Sequence, residues 1–279
     1  MYLQYLPRVY DRQPISRRRM SVMCTRYISP EDREIEAAWY IGARSAERWL
    51  RSMRPMYTGA FMRRAVDKTE YEREIAVGQW SLIPAWSSSH VPTAPPRKGE
   101  TKGKELATHN ARFAGIEKKP AFKDAWKFSR RCIIPAWSFD EPNWESGKNQ
   151  WWRFRRADGR PWGLAGLWST WKDLETEKVW ESYTMLTINA NLHPIMSRMH
   201  RPEIDRTTKK PLEVQDKRSV VAIEEHDFDR WLTCTPEEAR EMVQLIPVGL
   251  IDAGPATAQE PREETAAAVS STDSEDLPF

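Results

Sequence analysis

Apolar residues in this chain gather in short runs rather than long helical stripes, and the runs are bounded by Gly, Pro, Asp and Ser. Residues 74–84, Glu-Ile-Ala-Val-Gly-Gln-Trp-Ser-Leu-Ile-Pro, predict a strand entering a loop. Residues 132–135, 151–155, 162–168 and 183–188 predict further strands, and residues 217–223 predict a late one. Asp158-Gly159 lies between two of these and predicts a hairpin turn, because such a pair tolerates positive φ. Helical signals sit toward the ends. Ser29-Pro30-Glu31-Asp32 combines a capping serine, a first-turn proline and carboxylates at the positive end of the dipole, predicting a helix to about Leu50. Residues 227–232 and 236–245 predict closing helices, and the Pro-, Ser-, Lys- and Gly-rich residues 87–104 predict an exposed loop. Runs of strands with helices at the ends imply an α+β fold rather than an alternating parallel sheet.

Composition narrows the class. At 279 residues, with 40% hydrophobic and 30% charged residues, the chain is long enough for one sizeable domain with tails. No apolar run approaches a membrane span. Arg17-Arg18-Arg19 is followed by no apolar core of a secretory signal. Three cysteines, Cys24, Cys132 and Cys234, are odd in number and lack metal-ligand spacing, which points to a reducing, cytoplasmic setting with no metal and no cofactor. The net charge of +3 conceals an asymmetry: residues 252–279 carry seven carboxylates against Arg262 alone, so the body is strongly basic. Basic surface accompanied by 14 tryptophans suits single-stranded nucleic acid, whose phosphates take cations and whose bases stack on rings, although most tryptophans belong to cores. The acidic tail is too poor in apolar residues to fold alone, so residues 252–279 are expected to be disordered. Its end, Asp273-Ser274-Glu275-Asp276-Leu277-Pro278-Phe279, resembles the acidic tip of bacterial single-stranded DNA-binding proteins, which implies docking to replication or repair partners; the competing reading is a tail that only solvates.

Cys24 directly follows Met23. Were Met23 the first residue and then removed, Cys24 would carry a free α-amine beside its thiol. Such a 1,2-aminothiol condenses with an aldehyde to an imine, which the sulfur can close to a five-membered thiazolidine. Three later segments join it: Asn110-Ala111-Arg112 after Thr108-His109; residues 131–141, ending in Asp140-Glu141; and residues 189–202, with His193 and then His200-Arg201-Pro202. Together with Trp80-Ser81-Leu82-Ile83-Pro84 and Leu164-Ala165-Gly166-Leu167-Trp168, this ordered set resembles the SOS response-associated peptidase family, the abasic-site processing proteins, from about Met23 to Leu250.

The resemblance implies a specific chemistry: capture of the ring-opened aldehyde of an abasic site in single-stranded DNA by the N-terminal cysteine, giving a covalent crosslink that shields the lesion. It implies Cys24 as nucleophile, Asn110 as the residue holding the reactive terminus, and Glu141 with His200 as the acid/base pair. Arg26, Trp80, Arg112 and Arg201 fall at its DNA-contacting segments. A weak lyase activity and a self-processing peptidase activity are implied as well. Asp140 and Glu145 compete with Glu141 for its role, and His193 and His109 with His200. Thr25 and Ser81 stand where the family commonly has glycine. Two other readings remain: a thiol peptidase in which internal Cys24 pairs with His200, and a non-covalent single-stranded DNA-binding module. The expectation is a monomer with a leader or mis-assigned start over residues 1–22, a single domain over 23–251 with a partly closed antiparallel β core flanked by helices, and the tail.

Overall fold

The computed structural model describes residues 24–41, 48–205 and 207–256. The expected leader, Met23 and most of the acidic tail lie outside these residues. Among them run thirteen strands: β1 (Arg26–Ile28), β2 (Ser52–Met53), β3 (Thr58–Arg64), β4 (Arg73–Trp80), β5 (Asn110–Arg112), β6 (Arg131–Ala136), β7 (Ser138–Asn143), β8 (Gln150–Arg156), β9 (Trp162–Lys172), β10 (Val179–Asn189), β11 (Arg218–Val220), β12 (Ala222–Ile223) and β13 (Ile251–Pro255). Four helices accompany them: α1 (Asp32–Trp39), α2 (Lys123–Lys127), α3 (Phe228–Thr233) and α4 (Pro236–Met242).

Strands β10, β4, β3, β6 and β9 pair in turn, and β9 pairs back to β10, closing a five-stranded barrel. The fold is α+β, as expected, and mostly sheet. The barrel is antiparallel except at one seam, where β10 runs parallel to β4. A second sheet, in the order β13-β8-β7-β1-β2, is antiparallel throughout. Strand β3 buries five consecutive residues, Gly59 to Arg63, because both its faces are covered. Its sequence therefore lacks the alternation that marks a half-buried strand.

Several expectations are corrected. The helix after Ser29 starts at Asp32, where the Glu31 backbone N–H donates to Glu34 Oε2 at 2.6 Å. It stops at Trp39, because Tyr40 turns left-handed at φ +50°, well short of Leu50. Asp158-Gly159 does form a turn, with Gly159 at φ +72°, but it joins strands of different sheets. No hairpin forms there, since both edges of β8 are already taken by β7 and β13. The loop over residues 87–104 is pinned at its start: Ser87 and Thr93 are buried, and Trp171 Nε1 donates to Ser87 O at 3.1 Å. The ordered chain also runs past Ile251, because β13 pairs with β8 through Pro255. Asp252 is thus a strand residue rather than the start of a disordered tail.

The glycine of Leu164-Ala165-Gly166-Leu167-Trp168 has a packing role in the barrel wall. A Cβ at Gly166 would stand 2.7 Å from Cys132 Sγ and from the Thr184 carbonyl oxygen. Since the backbone atom cannot step aside, Gly166→Ala is expected to destabilise the fold by about 1–3 kcal/mol, read as a lowered thermal midpoint.

Candidate active site

Register assembles the site. Strand β1 runs antiparallel to β7 with Arg26 opposite Asp140, so Cys24, just before β1, is delivered to the end of β7 that carries Glu141. Strand β5 runs parallel to β10 with Asn110 opposite Met185. From there the Asn110 side chain reaches in, and its Nδ2 donates to the Cys24 carbonyl at 2.8 Å. Its Oδ1 is buried without a protein partner. The chain leaving β10 turns through residues 191–199 and bridges back to β7 at Asn143. Next in sequence, His200 donates its backbone N–H to Pro142 O at 2.6 Å, and its Nε2 lies 2.9 Å from Glu141 Oε2.

Cys24, Asn110, Glu141 and His200, read from four separated segments, therefore meet in one buried cluster. Burial raises the Glu141 pKa, opposed by His200 and by the backbone N–H of Cys24, which hydrogen-bonds the carboxylate. Burial, and then the nearby Glu141 charge, hold the Cys24 thiol well above its ordinary pKa. The thiol itself donates to Arg26 O at 3.5 Å. Both Asn110 and Glu141 thus address the main chain of Cys24, not its sulfur.

The competing residues have other work. Asp140 is bound bidentately by Arg153, with contacts of 2.9 and 3.0 Å. Glu145 is gripped by Arg198, which brings its pKa down to about 2. His193 places Nε2 on Ile246 O at 2.8 Å and accepts two backbone N–H groups at Nδ1, so both ring nitrogens shape the turn. His109 is buried and its pKa falls to about 4.

The expected DNA contacts divide. Arg112 is 45% exposed beside Asp216, at 2.9 Å, and Arg201 is exposed with its guanidinium over the Trp144 ring at 5.0 Å. Two residues need correction. Trp80 is fully buried, donates to His109 O at 2.8 Å and packs edge-on to Tyr27, so it offers no face to a base. Arg26 is turned inward against Asp140 at 3.6 Å, its side chain 16% exposed. The tryptophans as a class follow the core expectation: six are buried and the remaining eight half-buried. Sequence reasoning missed Arg153, whose place opposite Asp140 depends on the β7–β8 register, and Lys217, whose contacts come from tertiary turns.

Among the described residues no group of three or more His, Cys, Asp or Glu could hold a metal ion. No helix there is long and apolar enough to cross a membrane.

Comparison with known proteins gives the chain's fold and family. A crystal structure of a protein from Bordetella bronchiseptica is 31% identical, with a TM-score of 0.68 over 84% of this chain and 100% of its own. A Bacteroides thetaiotaomicron protein, 16% identical, has a TM-score of 0.59 over 85% of this chain and 93% of its own. A phage-related protein of B. bronchiseptica, 18% identical, has a TM-score of 0.52 over 84% and 94%. These last two share the fold. No curated protein matches the chain. A family model described as SOS response associated peptidase (SRAP) matches residues 23–256. The chain belongs to the SRAP family, a membership that supports a role in the SOS response and the processing of DNA damage.

Proposed function

We propose that the form of this protein whose first residue is Cys24 binds single-stranded DNA and joins covalently to the aldehyde of an abasic site. The α-amine attacks the aldehyde carbon, and the resulting hydroxyl leaves as water with a proton from the Glu141–His200 pair. The sulfur then adds to the imine carbon while the thiol proton passes to the nitrogen. The net change is aldehyde plus aminothiol to thiazolidine plus one water. Asn110 orients the terminus through the Cys24 carbonyl, and its Oδ1 is available to accept from the amine. Arg112 and Arg201 meet phosphates. The imine also acidifies the neighbouring sugar carbon, which accounts for a weak lyase activity. Hydrolysis of the Met23–Cys24 bond, the self-processing counterpart of the family's peptidase label, would create the amine.

The observation that carries this reading is the convergence of Asn110 and Glu141 on the backbone of Cys24. A thiol peptidase would instead require a base on the sulfur, yet His200 bonds Glu141 and the thiol pKa is raised. Intact mass spectrometry of the protein from its native gene, incubated with abasic single-stranded DNA, tests the proposal. The expected product has the mass of a chain beginning at Cys24 plus the oligonucleotide less one water. Efficient crosslinking by a chain that retains residues 1–23 would overturn it.

A further inference from the structure

We propose that Lys217 is a positioning residue that locks His200 in the orientation facing Glu141, and so governs the rate of crosslinking rather than the affinity for DNA. The proposal rests on reading Glu141 and His200 as the acid/base pair. His200 adopts a left-handed backbone at φ +64°, a region that a residue with a Cβ keeps only when its surroundings impose it. Its N–H is tied to Pro142 O of β7. On the other side, the Lys217 ammonium donates to the His200 carbonyl at 2.8 Å and to the Met199 carbonyl at 2.7 Å. The peptide groups on both sides of the His200 Cα are therefore fixed. The imidazole keeps only its side-chain rotations, and Glu141 sets these through Nε2.

Lys217 is itself anchored. Its backbone N–H donates to Asn191 Oδ1 at 2.8 Å, and its carbonyl accepts from Ala190 N at 2.8 Å, directly before β11 pairs with barrel strand β10. It is half-buried, and burial lowers its pKa from the ordinary lysine value, an effect that the Glu145 and Glu203 charges offset only in part. An ammonium engaged with two carbonyls is poorly placed to neutralise a phosphate, unlike the exposed Arg201.

The test uses Lys217→Met in the form beginning at Cys24, which keeps the aliphatic stem and removes the donors. The expected result is a single-turnover crosslinking rate lowered by about 10²-fold, with unchanged affinity for undamaged single-stranded DNA. The His200 ring nitrogen resonances are expected to shift in the free protein. Lys217→Met combined with His200→Ala should be no slower than His200→Ala alone, since residues acting through one another are non-additive. Additive losses, unmoved His200 resonances, or weakened binding to undamaged DNA with an unchanged bound-state rate would each overturn the proposal. The resonances need no crosslinking, so full activity of His200→Ala would refute the acid/base reading separately. Should Lys217→Met fail to fold, Lys217→Arg is expected to keep both the rate and the resonances; a folded Lys217→Arg protein that loses both overturns the idea.

Discussion

Cys24→Ala, introduced into the form that begins at residue 24, is expected to lower the yield of denaturant-resistant crosslink with abasic single-stranded DNA by at least about 10²-fold, since the sulfur is the second nucleophile. The variant keeps the α-amine, Asn110 and the Glu141–His200 pair, so it should still form an imine. Borohydride reduction would trap that imine as a stable secondary amine, whereas without reductant it hydrolyses. The two read-outs separate amine from thiol within one variant. Binding to undamaged DNA should be unaffected, because Cys24 is buried and contributes no charge to the surface. A variant that crosslinks as well as the parent without reductant would exclude the thiazolidine. One that neither crosslinks nor yields a trapped imine, while binding DNA normally, would assign the whole reaction to sulfur.

Glu141→Gln is expected to slow crosslinking by about 10²–10⁴-fold, the range for loss of a positioned acid or base. Its pH profile should change shape as well. The amine attacks only when neutral, so the rate rises with pH toward the α-amine pKa of about 8. Water leaves with a proton from Glu141, so the parent rate falls again once the amine is fully neutral and the protonated fraction of this acid goes on declining with pH. Because the Glu141 pKa is raised, that fraction survives to higher pH than for an ordinary carboxyl group. In Glu141→Gln the alkaline fall should vanish, leaving a low rising limb and a plateau.

Stability should move the other way. A folded-state pKa above the unfolded one means that the fold prefers the protonated acid. This contribution is fully present below the unfolded value and is lost as pH rises through the folded one. Above the folded-state value the parent carries the cost of a buried carboxylate and the glutamine does not, so there the variant should melt at an equal or higher temperature. Any such advantage should disappear in acid. A melting point well below the parent's across the whole pH range, or a profile still bell-shaped, would count against Glu141 as the acid.

Much of the secondary structure was legible. Strands β4, β6, β8, β9 and β10 were readable because β-branched and aromatic residues cluster between turn formers, and α3 and α4 because apolar residues recur at helical spacing. Strand β3 was not, since coverage on both faces erases its alternation. The end of α1 was not legible either, because a left-handed Tyr40 carries no marker comparable to glycine. Within the site, residue types and chain order singled out Cys24, Asn110, Glu141 and His200. They could not tell that Trp80 and Arg26 point inward, because burial depends on which strand lies above them.

Residue order alone supplied the ingredients: an α+β chain of short strands, an acidic end, a cysteine behind a methionine, and three later segments bearing an amide, neighbouring carboxylates and two imidazoles. Rivals of the same residue type were told apart by the folded arrangement. Glu141 was separated from Asp140 and Glu145 by their arginine partners, and His200 from His193 by the bonds of the two rings. The physical reason is that a carboxylate's or imidazole's role follows from its burial and its hydrogen-bond partner, and here those partners lie 13, 53 and 59 residues away in sequence. Such distances are bridged only when the strands take their register.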